Sequence, residues 1–467
     1  MDERLFFSFN TWRSGRFRLP LETVRRDIHD RSMKCMQAPE ILILSGLRQT
    51  GKSTLLFQII ADLLENGRVG PERIFYFTFD DFSLRQELSA SHASFLTILE
   101  RILGGAVAGQ PLLYVFIDEV QKLPGFVEYI KSLYDLRLPV KWILTGSAAL
   151  ELKAQVRESL AGRALHLSIS PFSEEEIFRG LGLPTPDKTA LWEWIFSGTD
   201  PDLQVLKRIQ ARLLPHRAAI DRIAEETTLF GSLPSVALAR DRERKETLLA
   251  NYRNTYLDQD VRSLVRDDKL WVYQRVMELL AGRVGDLLNF SNIASQLEVT
   301  VDTVKRYSML LEKTFLLRLL TTCSRNVRNG VLKTPKTYFT DLGIRNALIG
   351  LTSLTQLERL NQLGVTLENA IVNRIVQRMV FTESSVRLHY WRTKAKEEVD
   401  LVIATPERLL PIEIKSDSKI QPRYLRGLRR FLAKEQERNG ILVGRFDDVD
   451  IIEDNETRII LLPFWML

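Results

Sequence analysis

With 467 residues, 45% hydrophobic and 27% charged, the chain has room for about three domains and too many apolar side chains for a disordered polymer. The formal charge of +6, from 65 basic against 59 acidic residues, is small for this length, so only a local cluster could argue a nucleic-acid surface. Two cysteines, Cys35 and Cys323, stand far apart without metal-site spacing, no apolar run is long enough for a bilayer, and Met1-Asp2-Glu3-Arg4 lacks a signal pattern. The expectation is a cytoplasmic protein with reduced thiols and no membrane partner.

Residues 1–40 form a helical extension, with a charged amphipathic helix expected over Leu21–Met36 that carries Arg25, Arg26 and Arg31. That helix would pack across the next domain. The domain at 41–173 opens with the apolar run Ile41–Leu44, followed by Gly46-Leu47-Arg48-Gln49-Thr50-Gly51-Lys52-Ser53 and a helical pattern over Thr54–Leu64. Strand, glycine-bounded loop and helix in this order make a phosphate loop. Its backbone N–H groups curl inward, and the helix N-terminus adds partial positive charge. Gly46, Arg48, Gln49, Thr50, Gly51 and Thr54 would surround a triphosphate. Lys52 would reach the β- and γ-phosphates, and the Ser53 hydroxyl would bind Mg²⁺.

Ile74–Phe79 reads as a second strand ending in Asp80-Asp81, which either face the ligand crevice or cap the next helix. Leu112–Ile117 is a continuous apolar run, as buried parallel strands are, and it ends in Asp118 and Glu119. Beside a phosphate loop, Asp118 would hold Mg²⁺ and Glu119 would orient or deprotonate water. Val140–Leu144 leads to Thr145-Gly146-Ser147, where a hydroxyl could sense the γ-phosphate or simply make a turn. Arg163, in Leu160-Ala161-Gly162-Arg163, could approach a γ-phosphate in its own or a neighbouring copy, the latter requiring a homo-oligomer.

Residues 174–280 read as a helical lid or linker. Residues 281–340 read as a winged helix-turn-helix: a short helix over Phe290–Leu297, a turn at Glu298-Val299, Thr300 as cap, and a second helix over Val301–Lys313. Asp302, Thr303, Lys305 and Arg306 lie at the exposed start of that helix. Arg325, Arg328 and Lys333 form a basic wing about Asn329-Gly330. Such a module contacts DNA or docks a protein. The last domain, 341–467, carries a hairpin: Asp400 on one strand, Glu413 and Lys415 at i and i+2 on its partner. Two carboxylates on one face would take Mg²⁺ or Mn²⁺, with Lys415 stabilising charge; a surface ion pair is the plainer alternative.

Taken together, Gly46–Ser53, Val115–Glu119, Leu144–Ser147, Leu160–Arg163, Gly231–Pro234, Thr255–Asp260, Thr366–Asn369, Trp391–Lys394, Glu398–Asp400 and Ile412–Lys415 resemble a family of AAA+ type ATPases with a C-terminal domain of unknown function, nuclease-like and of the PD-(D/E)xK class. The resemblance spans nearly the whole chain. It implies an α/β fold: a P-loop core with a parallel sheet, a helical lid, a winged helix and a nuclease-like α/β domain. It implies ATP binding and hydrolysis through Lys52, Ser53, Asp118 and Glu119. It also implies a metal site at Asp400 and Glu413, with Lys415 beside it and Glu368 as a further ligand. Val399 stands where the class often has proline. Two readings follow: an ATP-dependent nuclease on DNA, or a nucleotide-controlled DNA-binding or protein-docking switch without cleavage.

Overall fold

The computed structural model describes residues 3–20, 22–65, 69–90, 94–123, 125–146, 160–197, 202–256, 261–262, 265–323, 334–380, 386–454 and 457–467. The chain divides into two compact units: residues 1–171 with 313–315, and residues 172–312 with 316–467.

The first unit holds a parallel sheet of five strands: β1 (Ile41–Gly46), β2 (Ile74–Thr78), β3 (Leu113–Asp118), β4 (Val140–Gly146) and β5 (Ala164–Ile169). Their order is β2-β3-β4-β1-β5. β1, β2 and β4 are buried at every residue, as strands with both faces covered must be. The Lys52–Glu65 helix buries Leu55, Leu56, Ile59, Ile60 and Leu63, an apolar stripe at helical spacing. Because β4 lies between β1 and β3, the carboxyl ends of these three neighbours converge. The sequence reading anticipated β1 to β4 but not β5, whose alternating Ala-Leu-His-Leu-Ser-Ile pattern lies along the free side of β1.

The expected Leu21–Met36 helix is shorter than its pattern suggests: only His29–Met36 is helical. The preceding stretch is held by tertiary hydrogen bonds. Gln58 Nε2 donates to the Val24 carbonyl at 2.7 Å, and the Arg26 N–H donates to Gln58 Oε1 at 3.2 Å. Further upstream, the Asn10 side chain pairs with both backbone groups of Tyr76 on edge strand β2, accepting at 2.8 Å and donating at 2.9 Å. Trp12 Nε1 donates to the Ile74 carbonyl of the same strand at 3.2 Å.

The second unit is helical from Glu174 to Ala281, interrupted by loops. The helices Phe290–Gln296 and Val301–Lys313 follow, joined by a turn in which Glu298 has φ 53°. The Thr303 N–H donates to Thr300 Oγ1 at 3.2 Å, the expected cap. Val304, Leu310 and Leu311 face inward as read, together with Tyr307. Strands β6 (Leu317–Leu320) and β7 (Lys336–Phe339) then pair antiparallel. The expected wing tip with Arg325, Arg328 and Lys333 lies outside the described residues.

A six-stranded mixed sheet closes the unit, in the order β12-β13-β11-β10-β9-β8. Its strands are β8 (Arg387–Arg392), β9 (Glu398–Ala404), β10 (Leu409–Ile414), β11 (Asn439–Gly444), β12 (Asp450–Asp454) and β13 (Thr457–Pro463). β9 and β10 are the expected antiparallel hairpin, and β10, β11 and β13 run parallel. The Leu363–Met379 helix begins where the sequence placed a long helix. Asn369 grips β7: its Oδ1 accepts from the Phe339 N–H and its Nδ2 donates to the Phe339 carbonyl, both at 2.8 Å.

Candidate functional site: a phosphate loop and a buried acid–lysine cluster

The loop after β1 turns through left-handed conformations at Gln49 (φ 62°) and Gly51 (φ 86°). Gly46 has a different constraint. A Cβ there would stand 2.2 Å from the Ile169 carbonyl oxygen, so only glycine lets β5 approach β1 at this point. Lys52 is buried and curls over the loop, donating to the carbonyls of Gly46 at 3.2 Å and Leu47 at 3.0 Å. Arg48 is half-buried, whereas Gln49 and Thr54 are exposed at the mouth. Thr50 is buried and its hydroxyl donates to the Leu47 carbonyl at 2.8 Å.

Asp118 is the hub. Its Oδ2 accepts from the Ser53 hydroxyl at 2.6 Å and from the Tyr76 hydroxyl at 3.0 Å. Its Oδ1 accepts from the Thr145 hydroxyl and from the Glu119 N–H at 3.1 Å. Two strand ends, a side chain from the middle of β2 and the loop thus meet at one carboxylate. Thr145 orients Asp118; Ser147, its expected companion, lies outside the described residues. Glu119 follows with φ 56°, a left-handed position that a residue without glycine's freedom holds only under surrounding constraint. Burial, then the neighbouring Asp118, raise the Glu119 pKa, with Lys52 opposing. Gln121 Nε2 donates to Glu119 Oε2 at 2.5 Å. Ser53 and Asp118 are hard oxygen donors side by side at the loop, a set that fits Mg²⁺.

The Asp80-Asp81 alternatives separate. Asp81 caps the Phe82–Ala90 helix, accepting from the Ser83 N–H at 2.8 Å and the Leu84 N–H at 3.2 Å. Asp80 pairs with Lys122. Arg163 does not reach the loop of its own chain. The β1–β5 register puts Ala164 opposite Ile41, so Arg163 lies at the amino end of β1, and its guanidinium pairs with Asp135 at 2.7 Å.

Sequence reasoning passed over two residues here. Buried Arg26 donates to the Thr50 carbonyl in the loop and to the Ser170 carbonyl at 2.8 Å after β5. A helical pattern hid it, because its work begins where the helix fails. Tyr76 looked like one aromatic in an apolar strand; its position on β2, next to β3, takes its hydroxyl to Asp118.

In the second unit, β9 and β10 bring Asp400 and Glu413 together as expected. Lys415 Nζ lies 2.6 Å from Glu413 Oε1 and 3.2 Å from Asp400 Oδ2. The Ile414 N–H also donates to Asp400 Oδ2 at 2.9 Å. Glu413 Oε2 is buried with no hydrogen-bond partner among the described residues. Burial, reinforced by Asp400, raises the Glu413 pKa. Burial pushes Asp400 the same way, but Lys336 and Lys415 outweigh it and hold Asp400 below the usual carboxylate range.

Lys336, on β7, is the residue the sequence did not single out. It is 2% exposed, and its Nζ lies 2.5 Å from Glu398 Oε1, 3.2 Å from Glu368 Oε1 and 3.6 Å from Asp400 Oδ1. Tyr338, two residues on and facing the same side, donates its hydroxyl to Glu368 Oε1 at 2.5 Å. A lysine within a short strand of β-branched and aromatic residues was the signal that could have found it. The fit of a divalent cation is therefore partial. Asp400 and Glu413 offer hard oxygens and an orphaned one, which suits Mg²⁺ or Mn²⁺. Glu368, the further expected ligand, has Oε1 shared by Lys336 and Tyr338, which leaves only its Oε2 for a cation. Among the described residues, no group of three or more His, Cys, Asp or Glu has the arrangement of a metal site.

On the helix-turn-helix, Lys305 and Arg306 are exposed and Thr303 half-buried. Lys305 approaches Asp302 at 4.0 Å, and the Arg306 guanidinium lies over the Tyr307 ring at 5.1 Å. Both cysteines are free thiols, and no helix among the described residues is long and apolar enough to cross a membrane.

Residues 38–178 match the family model described as AAA domain. Residues 221–355 and 363–465 match two models, each described as a domain of unknown function. An uncharacterized protein of Mycobacterium tuberculosis is 25% identical over 413 residues, covering 88% of this chain and 78% of its own length. An uncharacterized protein of Haemophilus influenzae is 27% identical over 332 residues, covering 69% of this chain and 72% of its own. The solved structure of C. elegans PCH-2 aligns with 63% of this chain and 69% of its own at 13% identity and a TM-score of 0.27, too low to carry an argument. The phosphate loop, the Asp118 hub on a parallel sheet and the family match together support an AAA-type P-loop ATPase domain at residues 38–178.

Proposed function

We propose that the first unit hydrolyses ATP to ADP and phosphate and that this turnover governs a DNA-directed second unit. The observation that carries the first part is Asp118 gathering Ser53, Tyr76 and Thr145 at the mouth of the phosphate loop. Loop N–H groups would cradle the phosphates. Lys52 would exchange its two carbonyl partners for β- and γ-phosphate oxygens, a stronger charge-assisted contact. Ser53 and Asp118 would hold Mg²⁺, which when bound supplies charge neutralisation at the β- and γ-oxygens. Glu119 would accept the proton of the attacking water, its raised pKa suiting it to that work. Arg163 could serve only the site of another copy. A Glu119→Ala protein should bind ATP yet turn it over far more slowly; unchanged turnover would refute the role.

For the second unit we propose a metal-dependent nuclease-type site at Asp400 and Glu413, with Lys415 neutralising developing charge. Its support is the orphaned Glu413 Oε2 beside an Asp400 held ionised by lysines. Thr303, Lys305 and Arg306, with the basic residues Arg325, Arg328 and Lys333, would contact DNA. Plasmid, linear and branched DNA incubated with Mg²⁺ or Mn²⁺, with and without ATP, tests it. Cleavage lost in Asp400→Ala supports the nuclease. No cleavage by the wild type, with salt-sensitive binding that responds to ATP, supports instead the switch reading, which the lysine pairing of Glu368 and Asp400 favours.

A further inference from the structure

Resting on the metal reading of Asp400 and Glu413, we propose that Lys336 permanently fills a second cation position, so that this site takes a single divalent cation and not a pair. Three observations lead there. First, the buried carboxylates Glu368, Asp400 and Glu413 and the half-buried Glu398 converge where like charges repel strongly. Three cations hold them: Lys415 bridges Asp400 and Glu413, Lys336 bridges Asp400, Glu368 and Glu398, and Arg392 pairs with the other oxygen of Glu398 at 3.2 Å. Asp400 thus sits between two ammonium groups, one on each oxygen.

Second, Lys336 cannot easily swing away. Its strand is clamped by Asn369 on Phe339, and Leu287 bridges to Lys336 itself. On the same side, the Gly285 N–H donates to the Thr337 carbonyl at 2.9 Å. Gly285 also lies beside this cluster: a Cβ there would stand 3.4 Å from Glu368 Oε2. Third, Glu413 Oε2 is the carboxylate oxygen of this cluster that is buried without a hydrogen bond among the described residues, so the oxygen left for an ion lies on Glu413.

Lys336 is therefore a positioning residue. It holds Asp400 in place through Oδ1 and spares the site a second ion. Electron paramagnetic resonance of free Mn²⁺ during titration of the full chain, without nucleotide, counts the equivalents bound. Those that Asp400→Asn abolishes belong to this site. One such equivalent in the wild type and in Lys336→Arg, rising to two in Lys336→Gln, supports the proposal. Two in the wild type overturns it and leaves the metal reading standing. One in a folded Lys336→Gln protein also overturns it. None in the wild type removes the metal reading, and the proposal with it. Should Lys336→Gln fail to fold, the wild-type count still decides.

Discussion

The Ser53 hydroxyl donates to Asp118 Oδ2 at 2.6 Å, joining the phosphate loop to the end of β3. The bond holds in position, before nucleotide arrives, the two oxygens proposed to take Mg²⁺, which would lower the ordering cost of binding. Replacing Asp118 with Asn should leave nucleotide binding nearly intact and reduce kcat by about 10²–10⁴-fold, the range for a misplaced acid–base and metal assembly. Phosphate release and fluorescent-nucleotide titration on the same preparation separate the two effects. Equal losses in both would mean that Asp118 serves binding alone.

Tyr76→Phe removes one hydrogen bond to a buried carboxylate without leaving a cavity. Hydrogen bonds to charged groups are worth about 1.5–3 kcal/mol, so urea unfolding of the variant should show a loss in that range. The Mg²⁺ concentration needed for half-maximal turnover should rise as well. A change in neither quantity would show that the Tyr76 hydroxyl is a passenger.

The raised pKa of Glu119 has a kinetic and a thermodynamic sign. Glu119 must be ionised to accept a proton, so the acid limb of the ATPase pH profile should lie above the ordinary glutamate value. A folded-state pKa above the unfolded one gives a stability contribution that is complete below the unfolded value and lost as pH rises through the folded value. Glu119→Gln should therefore gain stability relative to wild type as pH rises across that window. Parallel urea titrations at several pH values check it; a constant difference would contradict the assignment.

Gly46→Ala would push a methyl group to within 2.2 Å of the Ile169 carbonyl oxygen. Backbone cannot yield as a side-chain tip can, so β5 must shift, at a cost of roughly 1–3 kcal/mol. Nucleotide affinity should fall with it, because the same residue opens the loop. A thermal melt together with nucleotide titration reads both.

Much of the first unit was legible because its signals are local. Ile41–Ser53 and Leu112–Glu119 carry strand, turn and ligand residues in unbroken order, and burial on both faces writes a parallel strand as a run of apolar residues. What escaped was tertiary. Arg26 works through carbonyls at Thr50 and Ser170, and no sequence pattern marks a backbone oxygen far along the chain as a partner. That Arg163 falls short of its own loop was hidden for the same reason: a parallel register decides which end of the sheet it occupies. In the second unit, the i, i+2 rule placed Glu413 and Lys415 together, but Lys336 enters from a different strand pair and engages one oxygen of Glu368. Periodicity tells which face a side chain takes; it does not tell which distant charge will meet it there.

The Asn10 side chain has one more effect. β2 is an edge strand, and Asn10 and Trp12 occupy the hydrogen-bonding groups of Tyr76 and Ile74 along its outer side. An uncovered edge of that kind is a template on which another chain can add a strand. A fragment beginning at residue 38, where the AAA match starts, would lose this cover together with the Arg26 brace. Such a fragment should aggregate by strand addition although every residue of its phosphate loop is present, making the first forty residues the chain's own guard against amyloid-like stacking.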